Sequence, residues 1–306
     1  MLDSPDDLHL IIVNLADKFI VSRKHRGKMK YSEHLKEIRD GKDIYFQSWL
    51  PDSKVAGFII LIHGLGEHSQ RYGTHFADFY TSHNIGIKTF DLPGHGKSYG
   101  KRGHLDDPIV ILEIMDNLLD ETRIQYPELP LYIYGHSFGG EISLWYGLAR
   151  KPKINGLIIT SPLIGPKDPI PPAKFLLAKT MDKIFPAFTM ENGLSPEDLS
   201  SDKKIVEEYR SDPLVHPMIS AKTGMMIMNR GQWIMENAKI NPNELLLMVG
   251  EKENIVNPQA IKDFAKAAPN VTLKVWPNLM HEIHNELEKL SVFNFTLEWM
   301  KNHSRC

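Results

Sequence analysis

Cysteine is almost absent from the chain: its 306 residues contain one, Cys306. A lone cysteine forms no internal disulfide, so the fold calls for no oxidising compartment. Excess charge of one sign is absent too. Lys plus Arg number 36 against 38 Asp plus Glu, a formal net charge of -2, and no basic surplus marks nucleic acid as a partner. No apolar run approaches the ~18 residues of a membrane span. The N-terminal stretch MLDSPDDLHLIIVNLADKF places acidic residues before a short apolar run, whereas a secretory signal starts basic. The glycosylation-type triplets at Asn270, Asn294 and Asn302 are therefore expected to be chance matches. Internal repeats and low-complexity tracts are missing as well. These absences leave a soluble cytoplasmic protein as the expectation. With 42% hydrophobic residues, it has enough apolar material for one large core.

What is there is a rhythm of short apolar runs. Residues 57–62, 85–90, 131–134, 154–159, 244–249 and 271–276 have the length and composition of buried parallel strands. Helical stretches fall between them, over roughly 69–82, 109–126, 138–150 and 258–267. Strand alternating with helix predicts a parallel sheet covered on both faces. Residues 31–38 and 44–50 alternate more clearly, like an edge hairpin packed against that sheet. The rhythm breaks between about Ser161 and Ile240, a span punctuated by prolines and helical in pattern, with no strand read in it. A bare loop of that length does not fit a compact domain, so this span is expected to form a helical cap over one end of the sheet. Phe175, Leu176, Leu177, Ile184, Phe185 and Phe188 give it an apolar face, and Lys174, Lys179 and Lys183 a basic one. Two uses are open: packing on the core, expected to dominate, or apolar surface offered to an acyl chain or a membrane.

The predicted strand at 131–134 runs into Gly135-His136-Ser137-Phe138-Gly139-Gly140, and a predicted helix follows. Glycine-x-serine-x-glycine alone is weak, because both residues are common. Between an apolar strand and a helix it describes a nucleophile elbow. There the turn is so tight that the serine is strained, the glycines leave room, and the hydroxyl projects at a helix N-terminus. Ser137 is the expected nucleophile. Such a serine needs a base and an acid that orients the base. The acidic loop 251–256 and the histidine loop 277–282 each follow a predicted strand, which puts both on the carboxyl edge of the sheet, where open α/β sheets build their sites. His281 would take the serine proton, and a carboxylate would hold its other ring nitrogen.

The run His63-Gly64-Leu65-Gly66 at the exit of the first strand suits an oxyanion hole. One amide would come from Leu65 and one from Phe138, the residue after the nucleophile. His284 lies three residues beyond His281, but HEIH lacks the H-E-x-x-H spacing and no third ligand is apparent, so a solvated or secondary role is expected rather than a metal. His83, His216 and His303 have no motif support. Gly96-Lys97-Ser98 resembles the end of a phosphate loop, but Asp91 stands where that motif needs glycine.

The segments HGLGEHSQRY at 63–72, DLPGHGKS at 91–98, GHSFGG at 135–140, ITSPL at 159–163, GEKENIV at 250–256 and MHEIHNE at 280–286 together resemble the α/β-hydrolase superfamily. Within it they are similar to the monoacylglycerol lipase and lysophospholipase-like group, over nearly the whole chain. The resemblance implies a mostly parallel eight-stranded sheet flanked by helices. Residues 1–160 and 241–306 would form the core, with a cap at 161–240 inserted after strand six. It implies hydrolysis of monoacylglycerols through an acyl-enzyme on Ser137, without metal or organic cofactor. It also implies an apolar tunnel under the cap, and Glu67, Arg71 and His284 near the polar head of the substrate. For Glu67 and Arg71, a salt bridge that fixes the loop is an equal alternative. The family loop after strand seven reads G-x-x-D-x-x-V, and here Glu253 stands in place of the aspartate. Glutamate is one methylene longer, so the loop must sit further back; Glu251 is a minor rival. A lysophospholipase, a short-chain carboxylesterase, and a hydrolase-fold binding protein with little turnover are the competing readings. Oligomeric state is left open.

Overall fold

The computed structural model describes residues 29–304, together with the backbone of His9–Leu10 and Val21–His25. Cys306 and most of the acidic-then-apolar N-terminal stretch lie outside the described residues. The strands are β1 (His9–Leu10), β2 (Val21–His25), β3 (Met29–Arg39), β4 (Lys42–Pro51), β5 (Gly57–Ile62), β6 (Ile85–Phe90), β7 (Leu131–His136), β8 (Gly156–Thr160), β9 (Thr189–Glu191), β10 (Met218–Ser220), β11 (Leu245–Gly250) and β12 (Val271–Trp276). The helices are α1 (His75–Ser82), α2 (Ile109–Gln125), α3 (Phe138–Arg150), α4 (Pro172–Ile184), α5 (Lys203–Ser211), α6 (Ala221–Glu236), α7 (Pro258–Ala267) and α8 (Lys289–Asn302).

One sheet runs in the order β1-β2-β3-β4-β6-β5-β7-β8-β11-β12. From β6 to β12 every neighbouring pair is parallel, while β4 is antiparallel to both β3 and β6. The strands from β3 onward are the eight that were expected, in the α/β-hydrolase arrangement, and β1 and β2 extend them at one edge. The central strands β5, β7, β8 and β11 are buried along their whole length, which is why their sequences are unbroken apolar runs. Their pleat divides the core in two. Phe58, Ile60 and Ile62 of β5 face α2 and α3, among Ile114, Phe138 and Ile142. Ile59 and Leu61 face α1 and α8, among Phe76, Tyr80 and Phe293.

Three local expectations change. The hairpin of β3 and β4 turns at Asp40 and Gly41, both with positive φ, but it is not the edge: β4 pairs with β6 and β2 pairs along the outer strand β3. The stretch expected as one helix over 69–82 begins as a 3-10 turn, Ser69–Tyr72, and becomes α1 only at His75. The turn is anchored by Asp91, whose Oδ1 accepts from both the amide (2.9 Å) and the hydroxyl (2.6 Å) of Ser69. Residues 161–240 are helical, but they also hold the antiparallel pair β9–β10.

Within that span α4 packs on α6, yet none of its residues is buried. Leu176 is 64% exposed and Ile184 74%. The apolar face expected mainly to meet the core is therefore open to solvent. The Met-rich segment forms α6 and does turn inward, with Met225, Ile227 and Ile234 buried.

Candidate active site

Ser137 stands between β7 and α3 with φ 53° and ψ −115°. Positive φ is a strained conformation for a residue with a side chain. The turn is held by the Ser137 amide, which donates to Thr160 O at 2.9 Å, and by the Ser137 carbonyl, which accepts from Glu141 and Leu163 at 3.0 Å each. The flanking glycines are sterically required. A Cβ at Gly139 would lie 2.1 Å from Ile62 O, and one at Gly135 2.4 Å from Ser143 Oγ.

Loops after β11 and β12 bring the other two groups to the same edge. Gly250 ends β11 where a Cβ would lie 2.3 Å from the carbonyls of Leu279 and Met280, so only glycine lets the histidine loop pass this close. The loops are then stitched by Glu251 N to Trp276 O (2.8 Å) and Lys252 N to Leu279 O (2.9 Å). As a result Nδ1 of His281 donates to Oε2 of Glu253 at 2.8 Å. Oε1 of Glu253 accepts from the amides of Ile255 (2.8 Å) and Val256 (3.1 Å). Both side chains are buried, and the His281 carbonyl accepts from Ser161 Oγ at 3.1 Å. The His281 ring lies 4.8 Å from that of His136, the residue before Ser137.

Burial alone would raise the Glu253 carboxyl, but the His281 charge, its hydrogen bond and the two amides outweigh it and hold the group below the usual range. Burial likewise disfavours the charged His281 ring, and the Glu253 charge and hydrogen bond overcome it, raising the imidazole above its ordinary value. Glu251, the minor rival, is exposed; its Oε2 accepts instead from the Asn278 amide.

Leu65 follows β5 in the loop beside the elbow, and a Cβ on neighbouring Gly64 would lie 3.4 Å from Ser137 Cβ. Among the described residues, the N–H groups of Leu65 and of Phe138, the first residue of α3, have no acceptor. Unpaired amides here are what an oxyanion site needs.

The chain has relatives among known proteins. The family model described as serine aminopeptidase, S33, matches residues 53–288. A monoacylglycerol lipase of Mycolicibacterium smegmatis is 30% identical over 89% of this chain and 98% of its own. The chain belongs to this family of α/β hydrolases, in its monoglyceride lipase-like group. The crystal structure of a monoacylglycerol lipase of Paleococcus ferrophilus superposes with a TM-score of 0.77 at 31% identity, covering 85% of this chain and 99% of that one. An uncharacterised abhydrolase domain-containing protein of Dictyostelium discoideum is 35% identical over 86% of this chain, which spans 28% of that protein's length. As a member of the family the chain is a serine hydrolase acting on carboxylic esters.

In this hydrolase Glu67 and Arg71 are turned toward protein partners. Arg71 pairs with Glu67 and makes two bonds to Glu282, Nη1 to Oε1 at 2.7 Å and Nη2 to Oε2 at 2.8 Å. Its guanidinium lies over the Tyr209 ring at 4.8 Å. Oε1 of Glu67 accepts from the Gly64 amide (2.7 Å) and the Tyr72 hydroxyl (3.0 Å). Burial pushes Glu67 up even against Arg71, whereas the bidentate bond overrides burial and holds Glu282 down. The geometry is that of the salt-bridge alternative: it ties the loop of Leu65 to the loop of His281. Of the solvated or secondary role expected of His284, its burial excludes the solvated one. It is buried, stacked on Tyr72 at 4.9 Å and set against His136 at 4.6 Å, and neither ring nitrogen has a hydrogen-bond partner among the described residues. Burial, with the nearby charges of Arg71 and His281, pushes it down to about 3.

Two groups escaped sequence reasoning. Glu282 adjoins His281, but its partner is 211 residues away in sequence. Asp91 anchors the pseudo-phosphate loop, with Oδ2 accepting from Lys97 N at 2.8 Å. Residues 199–216 also close on the site. The Glu282 amide donates to Leu199 O (2.7 Å), His68 pairs with Asp212 (2.8 Å), and the His216 amide donates to Gly66 O (2.9 Å).

Replacing Glu253 by Gln keeps the shape and removes the charge. Turnover is expected to fall by up to about 10⁴-fold. The acid limb of kcat/KM, which the Glu253 carboxylate holds above the ordinary imidazole range in the native protein, moves to lower pH, because a neutral amide no longer stabilises the charged imidazole. A full pH–rate profile of both proteins checks this; an unmoved acid limb at near-native turnover would remove Glu253 from the site.

Proposed function

We propose that this hydrolase cleaves monoacylglycerols to free fatty acid and glycerol through an acyl-enzyme on Ser137. The observation that carries the reading is the buried 2.8 Å His281–Glu253 pair beside the strained serine turn, on a chain similar to monoacylglycerol lipases over nearly its whole length. In this account His281 takes the Ser137 proton as Oγ attacks the ester carbonyl. The N–H groups of Leu65 and Phe138 receive the oxyanion, a contribution of roughly 3 kcal/mol each. His281 returns the proton to the departing glycerol oxygen, and water repeats the sequence on the acyl-enzyme. Glu253 keeps the ring in the tautomer that leaves Nε2 free.

Residues 161–240 are the proposed cap, closing over the core formed by 1–160 and 241–306. Their exposed Leu176, Leu177, Ile184 and Phe185, flanked by Lys174, Lys179 and Lys183, support contact with the membrane surface from which a cytoplasmic enzyme would draw its lipid. Among the described residues no helix is long and apolar enough to cross a membrane.

An alkyl fluorophosphonate is expected to label the native chain and not Ser137→Ala. On a panel of mono-, di- and triacylglycerols, lysophospholipids and short p-nitrophenyl esters, monoacylglycerols should give the highest kcat/KM. Equal rates on all glycerides, or a preference for lysophospholipid, would replace the proposed substrate; cleavage of no ester would point to a binding protein. Sedimentation with anionic phospholipid vesicles tests the surface contact. Leu176→Glu with Leu177→Glu should abolish co-sedimentation while leaving hydrolysis of a water-soluble ester unchanged, and undiminished co-sedimentation would refute that role for α4.

A further inference from the structure

Where α3, α4 and α6 meet, a shallow, open-mouthed pocket of about 430 Å³ is lined by none of the candidate catalytic residues, and its volume falls within the ~300–1,000 Å³ range of small-molecule sites. Its walls are mostly apolar: the indoles of Trp145 and Trp233 and the thioethers of Met225 and Met226. Arg230 opens into the same space although it is only 6% exposed. Its guanidinium stacks 3.9 Å over the Trp145 ring, and its Nη1 has no hydrogen-bond partner among the described residues.

The acid nearest to Arg230 does not satisfy it. Glu141, fully buried one turn beyond Ser137, stands 3.9 Å away from Nε, and neither of its carboxylate oxygens has a hydrogen-bond partner among the described residues. Burial pushes that carboxyl well up toward its neutral form, more than Arg230 pulls it down. A guanidinium stays charged and offers five donors in a planar fork. Buried beside a carboxyl at that distance, it lacks the matched anion that makes a buried charge tolerable. Lys222 adds positive charge to the lining, with Asp106 at 3.7 Å from its Nζ, and Asp182 opposes it.

A buried cation on the wall of a pocket built from indoles and thioethers selects an apolar chain carrying an anionic oxygen head. We propose that this cavity binds such an amphiphile, an alkyl carboxylate or alkyl phosphate. Arg230 takes the head, and Trp145, Met225, Met226 and Trp233 take the chain. The ligand would sit on the seam between the helix that begins at the nucleophile and the helix that crosses it from the 161–240 span.

Because Trp145 and Trp233 line the cavity, intrinsic fluorescence reads occupancy. The full chain is titrated at neutral pH with decanoate, decyl phosphate and decanol. At least one anion is expected to bind saturably, tenfold or more tighter than decanol, and which anion binds identifies the source as a fatty acid or a phosphorylated lipid. Arg230→Gln should weaken anion binding by tenfold or more, as loss of a charge-assisted hydrogen bond does, and leave decanol unaffected. Met226→Trp, which fills the cavity and keeps Arg230, should abolish anion binding even if Arg230→Gln fails to fold. Equal affinity for decanol and both anions, or anion affinity unchanged in Met226→Trp, would overturn the proposal.

Discussion

A buried imidazole serves as a base only when its tautomer is fixed and the charge it acquires is met. For His281, the proposed base, both conditions fall on one contact, the 2.8 Å hydrogen bond from its Nδ1 to Glu253 Oε2. The rest of the site follows from making that contact possible. Gly250 lets the loops after β11 and β12 run side by side. The amides of Ile255 and Val256 hold the second carboxylate oxygen, so the side chain does not rotate away. Glutamate thereby reaches the imidazole from a loop whose own amides brace it, and the extra methylene becomes part of the loop's internal hydrogen bonding.

Around this contact the structure fixes the neighbouring loops with charge. Arg71 is bonded to Glu67 on the loop of Leu65 and to Glu282 next to His281. Taking the arginine away would leave two buried carboxylates unmatched, a cost of about 3–5 kcal/mol. The loop of Leu65 and the loop of His281 are thus set relative to each other by one residue. Leu199, Asp212 and His216 then add contacts from the 161–240 span to the same two loops, so the proposed cap is anchored where the chemistry is proposed to occur.

Much of this was legible in the sequence because it is local. The elbow shows itself in six consecutive residues, since the same turn that strains Ser137 demands Gly135 and Gly139. The buried strands show themselves because a strand covered on both faces has no polar positions to disguise it. Glu253 was singled out by its place after β11. What stayed hidden was decided by distant partners. Nothing in the motif around Arg71 announces Glu282, and nothing near His284 tells that Tyr72 and His136 enclose it. The hairpin of β3 and β4 alternates like an edge, but β2 pairs along its outer strand β3. The apolar residues of α4 looked like core material because composition does not say which way a helix faces; the structure turns them to solvent.

The contact on which the site depends has its own spectroscopic signature. An imidazole N–H donated to a buried carboxylate is strongly deshielded and protected from exchange, so the proton spectrum of the resting protein tests it without any substrate. The account predicts a far-downfield N–H resonance from His281 that is present in the native chain and in Ser137→Ala and is lost in Glu253→Ala. A resonance that survives Glu253→Ala, or its absence from the native protein, would contradict the assignment of Glu253 as the partner that orients His281.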